Sequence, residues 1–82
     1  MAENERQLKF ELINEVGVVS STKSGWRKEL NRVSWNGAAP KYDLRDWGPD
    51  RSKAGKGITL TEEELRELKK IIDREIAFLD ED

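Results

Sequence analysis

Apolar and polar residues alternate from Leu8 to Leu12, where Lys9 and Glu11 separate Leu8, Phe10 and Leu12. A period of two is the spacing of a strand with one face buried. The parity breaks at Ile13, and Val16-Gly17-Val18-Val19 resumes a β-rich run. A glycine inside that run predicts a bulge or a sharp bend in one long strand. Ser20 to Gly25 are small and polar and predict a turn. A second strand is expected over WRKELNRVSWN, Trp26 to Asn36, where Leu30 and Val33 fall on opposite faces unless a bulge intervenes. Asn36-Gly37 marks the next turn, which Ala38-Ala39-Pro40 lengthens. Lys41 to Trp47 is the cleanest strand: Tyr42 and Leu44 point one way, and Lys41, Asp43, Arg45 and Trp47 the other. GPDRSKAG, residues 48–55, predicts a loop, and Lys56 to Leu60 a short fourth strand with Ile58 and Leu60 on one face.

The period then changes to that of a helix. Thr61 is placed as N-cap and Glu64 completes a capping box, while Glu62 and Glu63 suit the positive end of the helix dipole. Leu65, Leu68, Ile72, Ile76 and Leu79 recur every three or four residues, with Ile71 beside them. Four strands joined by short connections predict an antiparallel meander, and the helix is expected to cover one sheet face. The fold class is α+β, with a core from Tyr42, Leu44, Ile58 and Leu60, and with Lys41, Arg45 and Trp47 exposed on the opposite face. Residues 1–6 are polar and expected to be disordered, which leaves one domain over 7–80.

A chain of 82 residues has room for one lean domain, and with no cysteine it has no disulfide or thiolate clip to compensate for a small core. Homodimerisation is the remaining route to stability. Ile71, Ile72, Ile76 and Leu79 offer more apolar surface than one small sheet face needs, so they are expected at a dimer interface, the helices packing across a two-fold axis. The N-terminus has no basic segment followed by an apolar one, and no apolar run nears the roughly 18 residues of a membrane span. A cytoplasmic, nucleoid-associated protein is expected.

The net charge of −2 hides a segregation. Residues 23–60 hold nine cations against four anions, whereas residues 61–82 hold four cations against nine anions. All three tryptophans lie in the basic stretch. Histidine is absent as well as cysteine, which removes the commonest general base, the commonest nucleophile and most transition-metal sites. Asp43 and Asp46 fall on opposite strand faces and form no carboxylate pair, and Gly55-Lys56-Gly57 lacks the glycine spacing of a phosphate-binding P-loop. No enzyme activity and no cofactor are expected.

What remains is aromatic and cationic, the mixture of a groove for single-stranded nucleic acid. Flat rings stack on bases, at about 1–3 kcal/mol per base, and cations add a salt-sensitive phosphate contribution. The candidate contact residues are Trp26, Lys28, Arg32, Trp35, Lys41, Arg45, Trp47, Lys53 and Lys56. For a lone tryptophan in a small domain the ordinary role is core packing, and for Lys53 and Lys56 it is solubility. Either Trp26 or Trp35 is the ring that serves as core rather than groove.

The stretch Tyr42-Asp43-Leu44-Arg45-Asp46-Trp47, a polar loop, Lys53-Ala54-Gly55-Lys56-Gly57-Ile58-Thr59-Leu60 and a Thr-capped, Glu-rich helix resemble the positive cofactor four family of transcriptional coactivators, and within it the small bacterial YdbC-like members. The resemblance covers about residues 26–80. It implies a homodimer of curved four-stranded antiparallel sheets, each followed by a C-terminal amphipathic helix, whose concave faces bind single-stranded DNA with little sequence preference. It assigns Arg45 to the strand arginine, Trp47 to the aromatic that follows, Trp35 to the stacking aromatic before the turn glycine, and Lys53 and Lys56 to backbone-contacting loop lysines. Asn36-Gly37-Ala38 lacks the lysines that flank the turn in eukaryotic members, and Lys41 is the candidate replacement. The implied partners are single-stranded DNA, a second copy of the chain and transcription machinery. Single-stranded RNA is the alternative ligand, and a protein-interaction module using the acidic helix is the alternative function.

Overall fold

The computed structural model describes residues 9–81. The expected disorder of residues 1–6 and the first strand's Leu8 lie outside the described residues. Four strands, β1 (Phe10–Ser21), β2 (Arg27–Trp35), β3 (Lys41–Trp47) and β4 (Ala54–Leu60), precede a single α-helix, α1 (Glu62–Leu79). The strands form one sheet in the order β1-β2-β3-β4, every neighbouring pair antiparallel. This is the expected meander followed by a C-terminal helix.

β1 is one continuous strand whose register against β2 shifts three times, once between Glu15 and Gly17. The bulge that the internal glycine predicts is therefore present, and Val16 is the extra residue there. The β2–β3 turn also follows its sequence: Asn36 and Gly37 both have positive φ, 53° and 79°, and Ala38 N–H donates to the Trp35 carbonyl at 2.9 Å. Asn36 further ties the hairpin to the start of β1, its Oδ1 accepting from Lys9 N–H at 3.1 Å. The β3–β4 connection is shorter than expected, because Pro49–Arg51 forms a 3-10 turn and β4 already begins at Ala54. Two residues of β4, Gly55 and Lys56, then stand against Asp46 alone, a bulge that re-aims the strand entry. Thr61 caps α1 with both hydrogen bonds of the capping box, Glu64 N–H to Thr61 Oγ1 at 3.1 Å and Thr61 N–H to Glu64 Oε1 at 2.8 Å.

The core departs from expectation. Val33 and Trp47 are the buried hydrophobic residues, and both belong to the face opposite α1. On the helix side Tyr42, Leu44 and Leu60 are half-buried, and Ile58 is exposed. Leu65, Leu68 and Ile72 of α1 approach Val19, Leu30, Leu44 and Leu60 but leave an apolar cleft of about 280 Å³. No helix residue is buried. The radius of gyration, 15.3 Å, exceeds the roughly 12 Å of a compact chain of this length, so the helix stands against the sheet without closing a core.

Candidate nucleic-acid interface

Direct partners in an antiparallel ladder project to the same face. Arg27 with Trp47, Glu29 with Arg45, Asn31 with Asp43 and Val33 with Lys41 therefore share the face away from α1. β4 adds Thr59 opposite Asp43 and Gly57 opposite Arg45. Phe10 pairs with Trp35 at one end of β2, while Trp47 pairs with Arg27 at the other. Along a flat strand those ends lie about 26 Å apart at roughly 3.3 Å per residue. Yet the Trp35 and Trp47 rings are parallel with centroids 6.0 Å apart, and Phe10 leans on both at 5.6 and 4.9 Å. Only a strongly curved sheet brings them together, so this face is concave.

Asp43, fully buried, organises the concave face. Its Oδ2 accepts from Trp35 Nε1 at 3.0 Å and from Arg45 Nη2 at 2.8 Å, and its Oδ1 accepts from Arg45 Nε at 2.7 Å. Arg45 also donates through Nη1 to the Gly55 carbonyl at 3.0 Å, and its guanidinium carbon lies 4.6 Å from the Trp35 ring centroid. One carboxylate thus fixes both a ring and a cation, leaving neither free to rotate. Gly57 makes room for this: a Cβ there would overlap Arg45 Cβ and the Leu44 carbonyl oxygen. Two open clefts flank the half-buried Trp35 ring. One, of about 190 Å³, reaches Lys41 and Thr59, and the other, of about 250 Å³, reaches Asn36 and Arg45.

A second polar cluster lies towards β1. Glu29 is nearly fully buried, and its Oε1 accepts from Asn31 Nδ2 at 2.9 Å and from Arg51 Nε and Nη2 at 3.1 and 3.0 Å. Burial pushes the Glu29 carboxyl up, but the Asn31 amide and the Arg51 and Arg27 guanidiniums outweigh it and hold the group below its ordinary value of 4.5. Arg51 reaches Glu29 from a left-handed backbone, φ 54°, next to Asp50 at φ 55°. The ion pair holds this strained turn over the end of the sheet.

The structure brings some of the candidate residues together and separates others. Trp35, Lys41, Arg45 and Trp47 gather on the concave face. Trp47 corrects an expectation: it is 1% exposed, covered by Phe10 and Trp35, so it backs the groove instead of lining it. Lys28 and Arg32 project from the other face, because they pair with Asp46 and Tyr42, and Lys28 Nζ lies 3.4 Å from Asp46 Oδ1. Trp26 precedes β2 and packs beside Gly48 and Gly55, where an added Cβ would meet its ring at 3.5 and 3.4 Å. Both ambiguous rings are half-buried; Trp26 lies beside the β3–β4 connection and Trp35 borders the two clefts. Lys53 and Lys56 are exposed at the start of β4, Lys56 within the bulge. Sequence reasoning missed Phe10, Asp43, Thr59 and the Glu29–Asn31–Arg51 cluster. Phe10 had a readable signal, its place in the first alternation. The others depend on cross-strand register.

A curved antiparallel sheet with one capped helix behind it and a ring-and-cation groove in front defines an α+β sheet-groove protein. The family model described as Transcriptional Coactivator p15 (PC4) matches residues 22–71, from the turn before β2 into α1. The chain belongs to this family, the one its strand motif resembles. It is also similar to an uncharacterised protein of Treponema pallidum (strain Nichols), 44% identical over 64 residues that span 78% of this chain and 75% of that one.

Proposed function

We propose that the chain binds single-stranded DNA along the concave face without a strict sequence requirement, and that it acts in transcription regulation or in DNA replication and repair rather than as an enzyme. The observation that carries this reading is the Trp35 indole. It is half-buried, pinned by Asp43, partnered by Arg45 and flanked by open clefts on the side of Lys41 and Thr59. A preorganised ring beside cations stacks a base at low entropic cost and holds the adjoining phosphate. Membership of a transcriptional coactivator family supports the same conclusion. Lys53 and Lys56 stand near the other end of the groove and extend the phosphate track. Lys28, Arg32 and Trp26 lie off this path.

The active species is a homodimer. Ile71, Ile72, Ile76 and Leu79 are 47%, 45%, 49% and 67% exposed, a fraction of apolar helix surface that a second copy would cover. Among the described residues no helix is long and apolar enough to cross a membrane, in keeping with a place in the cytoplasm on DNA. Tryptophan emission tests the reading directly. Oligo-dT quenches the wild-type protein, and Trp35→Phe removes most of the quenching; an unchanged wild-type emission at saturating oligonucleotide contradicts it. Competition between matched DNA and RNA strands decides the alternative ligand.

A further inference from the structure

Phosphate contacts carry no sequence information, and stacking rings give only modest preferences. One cleft on the concave face is built differently. It lies between β1 and β2 beneath the β3–β4 connection, holds about 160 Å³, and is floored by Glu29 and Asn31 with Glu15, Arg27 and Arg51 at its rim. That is below the roughly 300 Å³ of a small-molecule pocket and suits a single flat ring system. Glu29 pairs across the ladder with Arg45, so the cleft adjoins the Trp35 groove.

Its floor presents acceptors. Glu29 is 2% and Asn31 1% exposed. Only the NH₂ of the Asn31 amide can donate to a carboxylate, so its 2.9 Å contact with Glu29 turns the amide carbonyl away from Glu29. Among the described residues, all the hydrogen bonds that Glu29 accepts fall on Oε1. Its Oε2 accepts none and has Arg27 Nε 3.2 Å away as ion-pair neighbour. Ion-paired with Arg27, Oε2 keeps lone pairs that no hydrogen bond among the described residues uses. It is well placed for a donor arriving from outside.

We propose that this cleft is a base-reading subsite that takes guanine from the bound strand, an inference that rests on the groove function proposed above. The Watson–Crick edge of guanine sets two donors, N1–H and N2–H₂, beside the O6 acceptor. The donors match Glu29 Oε2 and the Asn31 carbonyl, and O6 faces the guanidiniums at the rim. Thymine and uracil present one N–H between two carbonyls, so one of those carbonyls is forced against the acceptor floor. Adenine and cytosine offer one amino group next to an unprotonated ring nitrogen. The resulting order is guanine first, adenine and cytosine next, thymine and uracil last. Single-strand readers commonly use base edges in this way.

The test compares labelled oligo-dT of about twenty nucleotides with the same strand carrying one central dG, deoxyinosine or 7-deaza-dG, by anisotropy on the full chain. The dG strand binds about tenfold tighter than oligo-dT, the scale of one well-made edge contact. The 7-deaza-dG strand, which keeps the Watson–Crick edge, behaves like dG. Deoxyinosine, which lacks the N2 amino group, loses most of the gain. Glu29→Gln, with its fold checked by circular dichroism, brings the dG-to-dT ratio towards one; if that variant does not fold, the nucleotide series decides alone. Equal affinity for all four strands, or deoxyinosine as tight as dG, overturns the subsite while leaving the groove standing. Absence of oligo-dT and dG-strand binding alike overturns both.

Discussion

Trp35 and Trp47 stand 6.0 Å apart with parallel rings, and substituting them has different consequences. Trp35 borders open clefts, so Trp35→Ala leaves the sheet folded and weakens binding to any single strand by about 1–3 kcal/mol, read from titrations of oligo-dT. Trp47 is buried, so Trp47→Ala costs about 3–5 kcal/mol of stability and is seen first as a loss of cooperative unfolding. Strand parity predicted the face of Trp47 but not its burial, because parity contains no information about Phe10 and Trp35 arriving from another strand and from the far end of β2. Asp43 was legible only as an unpaired acid. Glu29 adds a pH dependence. Its carboxyl is held below 4.5, so the unfolded chain binds the proton more readily, and stability falls as pH drops from 4.5 through the lower folded value. Denaturant midpoints across that window detect it, and the slope flattens in Glu29→Gln.

At the scale of elements, the strands and the helix were readable because local chemistry dictates them. Asn36-Gly37 supplies two positive-φ residues, Gly17 marks a bulge, and Thr61 with Glu64 closes the capping box. Register was less legible. The face of Lys28 and Arg32 follows from the unbroken β2–β3 ladder, whereas basic character alone groups them with the groove. The β3–β4 junction was the least legible, since its early strand start depends on a bulge opposite Asp46 and on the Arg51–Glu29 ion pair. Gly57 is the element-level control point. Gly57→Ala forces Arg45 and the β3 backbone to move, which costs roughly 1–3 kcal/mol by overpacking and loosens Trp35 through Asp43. Urea denaturation together with oligo-dT affinity measures both effects in one variant.

The whole molecule is elongated, with principal extents of 59 × 33 × 19 Å, and its apolar helix surface is uncovered. Two copies joined through α1 would set two concave faces on one particle and bury the open helix-side cleft. Sedimentation at micromolar concentration is expected to give a particle of about twice 9.5 kDa, and Ile72→Glu to shift it towards the monomer with lower stability. Charge is also arranged at this scale: the acidic helix lies behind the sheet and the groove cations in front, so the net charge of −2 does not describe what a nucleic acid meets.

The most direct test is the anisotropy of labelled oligo-dT of about twenty nucleotides, titrated at low and moderate salt with duplex DNA as competitor. Tight binding that weakens with salt, at a slope near 0.7 per neutralised phosphate, and that duplex competes for poorly is the expected result. No binding at low salt, or equal competition by duplex, would contradict a single-strand groove on the concave face.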